Sequence, residues 1–316
     1  MHTIGVDVSK NELVAAQMTQ RGVVEGRWTI PNEPEAIGAW LDALSPRVEL
    51  GAEATAEYHN ELARQCMERA IPFKLLNPIV TKQFTRATVR RRKTDRSDAE
   101  VIARCLVNGE GYACTRESFS PSKRLLRTAE KLRRIEVTLR RMEGQMRAFV
   151  HGADTKPLLW LARKTKDAAQ AIQEQGLLRT DKKQEALLVS IPGIGKTLSA
   201  TIASEIGSCE RFRSGRALVA YAGLDPRVRQ SGATLSRNTR ITKRGSPYLR
   251  RAFFLAAMIG ERSDPELKAY YEKKRSEGKR FTEATVANAR HIAHRVYAVL
   301  MRQTPYVRRE LSTAAA

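Results

Sequence analysis

The chain is short of acids, aromatics and cysteines, and each shortage excludes something. Against 56 Lys and Arg stand only 34 Asp and Glu, a formal charge of +22. An ordinary metabolic enzyme is therefore not the default reading. Clustered cations gain affinity by releasing counterions condensed on phosphates, so nucleic acid leads among partners and an anionic membrane follows. Aromatic residues make up 6%, too few for stacking on unpaired bases to dominate. Trp28, Trp40 and Trp160 are scattered, as core residues are. Cys66, Cys105, Cys114 and Cys209 form no CxxC pair and no zinc-type spacing, which fits buried, reduced fillers of an intracellular protein. No run of 18 uncharged apolar residues occurs, so no membrane span is expected. The opening MHTIGVDVSKNE does not read as a charged segment followed by an apolar one, so no secretory signal is expected and the compartment is the cytoplasm.

What is present points to folded structure. Apolar residues reach 42% and the mean hydropathy is −0.44, a balance that suits real cores and neither a disordered basic tail nor a membrane protein. At 316 residues the chain exceeds a comfortable single core, so two or three units are expected.

The first hundred residues alternate strand and helix signals. Ile4, Val6 and Val8 alternate with Gly5, Asp7 and Ser9; Leu13–Met18 and Val23–Ile30 make two more strands around the turn Gln20-Arg21-Gly22, an antiparallel meander. A helix over 34–44 with Asn32 as its cap, a strand over 48–53, a helix over 58–69 and a strand over 73–76 follow, ending at Asn77-Pro78. That order is the order of a ribonuclease-H-like sheet. Residues 84–96 are strongly basic, with Arg86, Arg90, Arg91, Arg92 and Lys93, a run that repels itself unless an anion compensates, and a helix over 94–107 follows. From Pro121 to Phe149, Leu125, Leu132, Leu139 and Met146 recur every seven residues beside Thr128, Ile135, Met142 and Phe149. This predicts a supercoiled helix. A second helix over 158–175 offers Leu161, Ala168 and Ile172 as its apolar face, packing back as an antiparallel arm or against another subunit. From Ala186 onward the pattern is mainly helical with Gly-rich turns, and a long helix covers 283–301.

Four acids stand out. Asp95 and Asp98, three apart, share one face near the positive end of their helix. Such a pair is costly without a cation between, although capping and salt bridging are the commoner use. Asp7 sits inside the first strand between Val6 and Val8, and Glu53 ends the fourth; in a ribonuclease-H-like sheet these strands are neighbours. Hard oxygen donors of this kind suit Mg²⁺ or Mn²⁺ and phosphoryl chemistry. Pro192-Gly193-Ile194-Gly195 before an apolar helix has the pattern of a helix-hairpin-helix, whose backbone N–H groups approach a DNA phosphate with Lys196 adding charge. A simple interhelical turn is the competing reading. In the stretch after Leu224, Arg227, Arg229 and Arg237, then Lys243 and Arg244, accompany Ser231, Ser236 and Ser246. Guanidinium groups there can hold a scissile phosphate, but composition does not choose among the serines. His291 and His294 lack the further ligands a zinc site needs and are read as packing or surface residues.

The ordered set Gly5-Val6-Asp7-Val8-Ser9-Lys10, Glu53-Ala54-Thr55, Lys93-Thr94-Asp95-Arg96-Ser97-Asp98-Ala99, Ile191-Pro192-Gly193-Ile194-Gly195 and Tyr221-Ala222-Gly223-Leu224 resembles the DEDD transposases of the insertion-sequence one-ten family. These are relatives of the Piv/MooV invertases and include bridge-RNA-guided recombinases. The match runs from residue 3 to about 257, closing on Leu249-Arg250-Arg251-Ala252; Ala56 stands where the family often has Gly. The resemblance implies a RuvC-like domain over 1–118, a coiled-coil arm over 119–185 and a C-terminal transposase domain over 186–316. It implies a metal-binding tetrad of Asp7, Glu53, Asp95 and Asp98, and a serine nucleophile after Pro226-Arg227 and directly before Gly232, which is Ser231. It further implies donor and target double-stranded DNA, a structured guide RNA, and a homodimer assembling to a tetramer in a bacterial cytoplasm. The alternatives are a RuvC-type nuclease in which water attacks, and a non-enzymatic basic nucleic-acid-binding protein.

Overall fold

The computed structural model describes residues 2–54, 57–87, 95–114, 119–226, 230–231, 234–235 and 240–308, without the side chains of 79, 86–87, 95–97, 230–231 and 234–235. They fall into two compact units, Met1–Arg116 and Glu117–Ala316. Arg90, Arg91, Arg92, Lys93, Arg227, Arg229, Ser236 and Arg237 lie outside the described residues.

The first unit is mixed α/β. In chain order it runs β1 (His2–Val8), β2 (Glu12–Met18), β3 (Val24–Pro31), α1 (Pro34–Asp42), β4 (Val48–Glu53), α2 (Asn60–Glu68), β5 (Phe73–Leu76), α3 (Pro78–Ala87), α4 (Asp95–Val107) and β6 (Tyr112–Ala113). The sheet order is β3-β2-β1-β4-β5-β6. The expected meander is there: β1–β2 and β2–β3 are antiparallel, and β4 then pairs parallel with β1 and β5 with β4. Apolar side chains of β-branched and Leu type drive this. Ile4, Val6, Leu13 and Leu50 are wholly buried, each contributing about 1.5–3 kcal/mol over an exposed state. Edge strand β3, by contrast, alternates half-buried and exposed residues. Two elements depart from expectation. The chain after Asn77-Pro78 continues as α3, because Pro fits the first turn of a helix, and β6 adds an antiparallel edge to β5. Asn32 does not cap α1. Glu33 holds the cap position, and the Asn32 amide donates to the carbonyls of Ser9 and Tyr58.

Helix α4 is seated by glycine. A Cβ on Gly5 would run into the backbone of Ala99 and Ala103, and one on Gly51 into Leu106. Gly5 and Gly51 are register partners on β1 and β4, so two bare positions side by side let the helix lie directly on the strands, with Ala99 and Ala103 as its own small residues.

The second unit is largely helical: α5 (Pro121–Phe149), α6 (Lys156–Leu177), α7 (Lys182–Val189), α8 (Lys196–Ile206), α9 (Gly215–Tyr221), β7 (Gln230–Ser231), β8 (Thr234–Leu235), α10 (Pro247–Ser263), α11 (Pro265–Ser276) and α12 (Phe281–Arg302). One core joins α7 to α12, with Phe253, Ile202, Ile292 and Val296 wholly buried. Helices α5 and α6 pack on each other. Leu125, Leu132 and Leu139 are half-buried, while Ile135, Met142, Met146 and Phe149 are exposed. The buried face of α6 is not Leu161, Ala168 and Ile172 but Ala162, Ala169 and Gly176, again seven apart. Small residues bring the axes close, and Leu126 lies against Gly176. Trp40 is buried and tilted against Trp28 at 6.1 Å, but Trp160, expected in a core, is 62% exposed. No described helix is long and apolar enough to cross a membrane.

Candidate active site

In the first unit, the sheet brings the acids to one face. Strands alternate their side chains, and Gly5 and Gly51 face α4; Asp7 and Glu53, each two residues further on, face it as well. The register pair Val6–Ala52 puts Asp7 and Glu53 side by side at the C-terminal ends of neighbouring parallel strands. On α4, Asp98 directly precedes Ala99, whose carbonyl lies over Gly5. Asp7, Glu53 and Asp98 are all half-buried. A Thr81 hydroxyl on α3 donates to Glu53 Oε2 at 2.5 Å and to the Pro78 carbonyl. This contact was invisible in the sequence, since α3 itself was not expected. Asp95 begins α4, but its side chain is outside those described. Among the described residues no group of three His, Cys, Asp or Glu side chains is gathered tightly enough to hold a metal ion. In kind the donors suit a hard divalent cation: they are carboxylate oxygens on one face, with a hydroxyl orienting one of them.

In the second unit, Ser231 lies on a two-stranded ribbon. Gln230 pairs with Leu235 and Ser231 with Thr234, and Pro226 bridges Ile241 further down. Composition had shown a basic loop here, not strands. Ser246, another of the three candidate serines, serves the structure instead. Its hydroxyl accepts from the Leu249 amide, capping α10, and donates to Glu205 Oε2 at 2.8 Å. Exposed Lys243 takes a left-handed backbone, φ 55°, at the ribbon's return, and exposed Arg244 follows.

The α7–α8 turn has the expected form, and its two glycines serve different ends. Gly193, φ 90°, faces the backbone of Ala256 and Gly260 on α10, so it is bare because two elements meet there. Gly195, the N-cap of α8, faces open space, and Lys196 beside it is exposed. That end of α8 is where a phosphate has room.

Three of the cysteines are poor nucleophiles. Burial pushes the Cys66 and Cys105 thiols up to about 12 and the Cys209 thiol up to about 11, far from thiolate at neutral pH. Burial, with Arg295 adding to it, pushes His291 down, and its ring meets Tyr270 edge-on at 4.3 Å. Glu205 went unnoticed in the sequence. It is 1% exposed and receives Arg127 Nε and a second Arg127 nitrogen at 2.5 and 2.7 Å. Burial pushes its carboxyl up, but the bonds and charge of Arg127, with Lys123 and Ser246, outweigh this and hold it below the ordinary value.

Comparison with known proteins gives the family. Residues 4–151 match a family of transposases described as DEDD_Tnp_IS110, and residues 185–272 match the transposase IS116/IS110/IS902 family. The chain is similar to the pilin gene-inverting protein of Moraxella lacunata, 26% identical over 97% of this chain and 98% of that one, and to its Moraxella bovis counterpart at 25% over the same shares. It is also similar to the insertion element IS900 uncharacterized 42 kDa protein of Mycobacterium paratuberculosis, 35% identical over 51% of this chain and 40% of that one. Among solved structures, T. thermophilus RuvC in complex with a Holliday junction substrate matches at 13% identity and a TM-score of 0.28, over 36% of this chain and 99% of that one, a likeness too slight to bear on the fold. The two family matches cover about three-quarters of the chain between them, with the acids in one and the turn and serine ribbon in the other: the protein belongs to the IS110 family of DEDD transposases, relatives of the Piv/MooV-type invertases, and is a phosphoryl-transfer enzyme acting on DNA.

Proposed function

We propose that this enzyme is an RNA-guided DNA transposase or site-specific recombinase that works through a phosphoserine intermediate, with Ser231 as nucleophile and Asp7, Glu53, Asp95 and Asp98 as the holders of a divalent cation. The observation that carries the reading is the placement of Asp7 and Glu53 side by side at the ends of neighbouring parallel strands, under the helix that brings Asp95 and Asp98. The strand order, three antiparallel and then two parallel, supports a ribonuclease-H-like, RuvC-type domain over 1–118, with an arm over 119–185 and a catalytic helical domain over 186–316.

Ser231 Oγ attacks a backbone phosphorus. A bond from serine to phosphorus forms as the bond to the 3′ oxygen breaks, and the serine proton leaves as the 3′ oxygen gains one. The phosphoserine keeps the energy of the broken bond, so a 3′ hydroxyl from another strand can attack it, free the serine and reseal the DNA without ATP. Asp7, Glu53, Asp95 and Asp98 would hold Mg²⁺ or Mn²⁺, which when bound would supply a Lewis acid for the phosphate and ease loss of the hydroxyl proton. Arg227, Arg229 and Arg237, near the serine in sequence, supply guanidinium groups of the kind that hold a phosphate and answer its transition-state charge. Arg86, Arg90–Arg92 and Lys93, with Gly193, Gly195, Lys196, Lys243 and Arg244, grip nucleic-acid backbone. The surplus of cations over aromatics supports a protein that reads shape and phosphate while a guide RNA reads sequence. The exposed apolar row on α5 supports a dimer, assembling to a tetramer.

The test is covalent. Labelled donor DNA incubated with protein, any co-purifying RNA and Mg²⁺ gives a protein–DNA adduct on a denaturing gel, and Ser231→Ala abolishes it. One observation favours a second reading, a metal-dependent nuclease using water: the acid-bearing sheet is a compact unit by itself. Continued cleavage by Ser231→Ala without adducts establishes that reading in place of the first.

A further inference from the structure

We propose that Glu205 is a positioning residue for the serine-bearing ribbon and that, through Arg127, it ties the ribbon to the arm. The inference rests on the reading of Ser231 as nucleophile, and every residue it uses belongs to the second unit.

The ribbon stands on two feet, residues 221–226 and 241–246, that are bound together. The Thr242 amide donates to the Asp225 carbonyl at 2.9 Å, the Lys243 amide to Gly223 at 3.1 Å and the Ser246 amide to Tyr221 at 3.0 Å; the Thr242 hydroxyl donates to the Asp225 carboxylate. The feet are thus bonded to each other along their length, and the pair is fastened at Ser246. There the hydroxyl caps α10 and donates to Glu205. Glu205 has little freedom in turn, since the Arg127 guanidinium engages both its oxygens. Planar bidentate pairing fixes direction as well as distance.

Arg127 belongs to α5, the first helix of the arm, which meets α10 at further points. Tyr248 lies beneath Arg127 and Arg134, 4.9 and 5.6 Å from its ring centre, and Arg251 pairs with Glu130 at 2.6 Å. The arm therefore touches the helix turn from which the ribbon's trailing foot descends. A buried ion pair adds little stability over an apolar pair of equal volume; its best-attested use is to fix one arrangement. Here that arrangement is the orientation of Ser246, and hence of the feet that carry Ser231.

The test uses the full-length protein with its DNA, reading the rate of adduct formation at saturating DNA and, separately, the DNA concentration for half the maximal rate. Ser246→Ala keeps the Arg127–Glu205 pair and removes both its link to the ribbon and the cap of α10, whereas Glu205→Gln leaves the cap in place and so separates the two. The saturating rate should fall about tenfold to a hundredfold, the cost of a small misplacement of a reacting group, while half-saturation stays within about twofold. Ser246→Thr, which keeps the hydroxyl, should restore the rate. Glu205→Gln should match Ser246→Ala, and the double variant should be no worse than either; should Glu205→Gln fail to fold, the two Ser246 variants decide alone. An unchanged rate in Ser246→Ala, or a change only in half-saturation, overturns the proposal, provided Ser231→Ala abolishes adducts. Adducts that persist in Ser231→Ala overturn the nucleophile assignment instead.

Discussion

Replacing Arg127 by Ala should turn the ion pair of the buried Glu205 carboxylate into a pH-dependent defect. Glu205 is 1% exposed and takes both of its strong donors from Arg127. With them gone the carboxylate keeps the Ser246 hydroxyl and the more distant charge of Lys123. Stranding one partner of a buried pair costs about 3–5 kcal/mol, which in a unit of this size lowers the melting temperature by roughly 6–20 °C. The sign of the pH dependence is the sharper check. In the native protein the carboxyl is held below its ordinary value. Its contribution is therefore present above the unfolded value of about 4.3 and is lost as pH falls through the folded value. In the variant, burial faces its main opposition no longer, and the carboxyl rises above the unfolded value. Stability is then fully retained below about pH 4.3 and falls as pH rises toward the new folded value. Urea unfolding followed by circular dichroism, with variant and parent compared near pH 5 and near pH 7.5, should show a defect larger at the higher pH by at least about 1 kcal/mol. Arg127→Met with Glu205→Leu should recover most of the loss. A defect below about 1 kcal/mol, or one equal at both pH values, would refute the claim that Glu205 is buried as a paired carboxylate.

Two further outcomes test the acid-bearing unit. Gly5→Val should destabilise the first unit by about 3 kcal/mol or more, because the new side chain meets the backbone of α4 at Ala99 and Ala103 and not a movable side-chain tip; denaturant unfolding of that unit measures it. Thr81→Val removes the hydroxyl that orients Glu53 and should raise the Mg²⁺ concentration for half-maximal DNA cleavage about tenfold, with Thr81→Ser restoring it. An unchanged Mg²⁺ requirement would separate Glu53 from the metal.

The meander and the parallel return were legible because their signals are local. Alternating Ile4, Val6 and Val8, the turn at Gln20-Arg21-Gly22 and the spacing of the next two strands leave few ways to pair, and Asp7 and Glu53 meet as a direct consequence of β1 lying beside β4. Less legible were positions where a residue is chosen by something distant. Gly5 reads as a flexible residue in a strand, yet it is bare because a helix begun ninety residues later lies on it. The same holds for α6: hydropathy favours Leu161 and Ile172, whereas close approach to α5 favours Ala162, Ala169 and Gly176, and the packing requirement wins. Helix α3 is hidden by Asn77-Pro78, which reads as the end of the α/β unit, and by the basic run from residue 84 that overlaps its second half.

Glu205 is the strongest case of a site residue that local pattern does not reveal. In the sequence it is an acid near the end of a small, apolar helix, where a carboxylate normally faces water. Its burial depends on α5, 78 residues earlier in the chain, which brings Arg127 over it. Ser246, 41 residues later, adds a third hydrogen bond. The guanidinium makes the position tenable by engaging both oxygens, since a buried carboxylate with a hydroxyl only would protonate, and the hydroxyl adds a further bond that orients Ser246 in turn. The three residues are thus informative only together. They join α5, α8 and the segment that leads from the ribbon into α10. Ser231 stands out through the resemblance while Glu205 does not, because a contact between distant segments leaves no period in the chain.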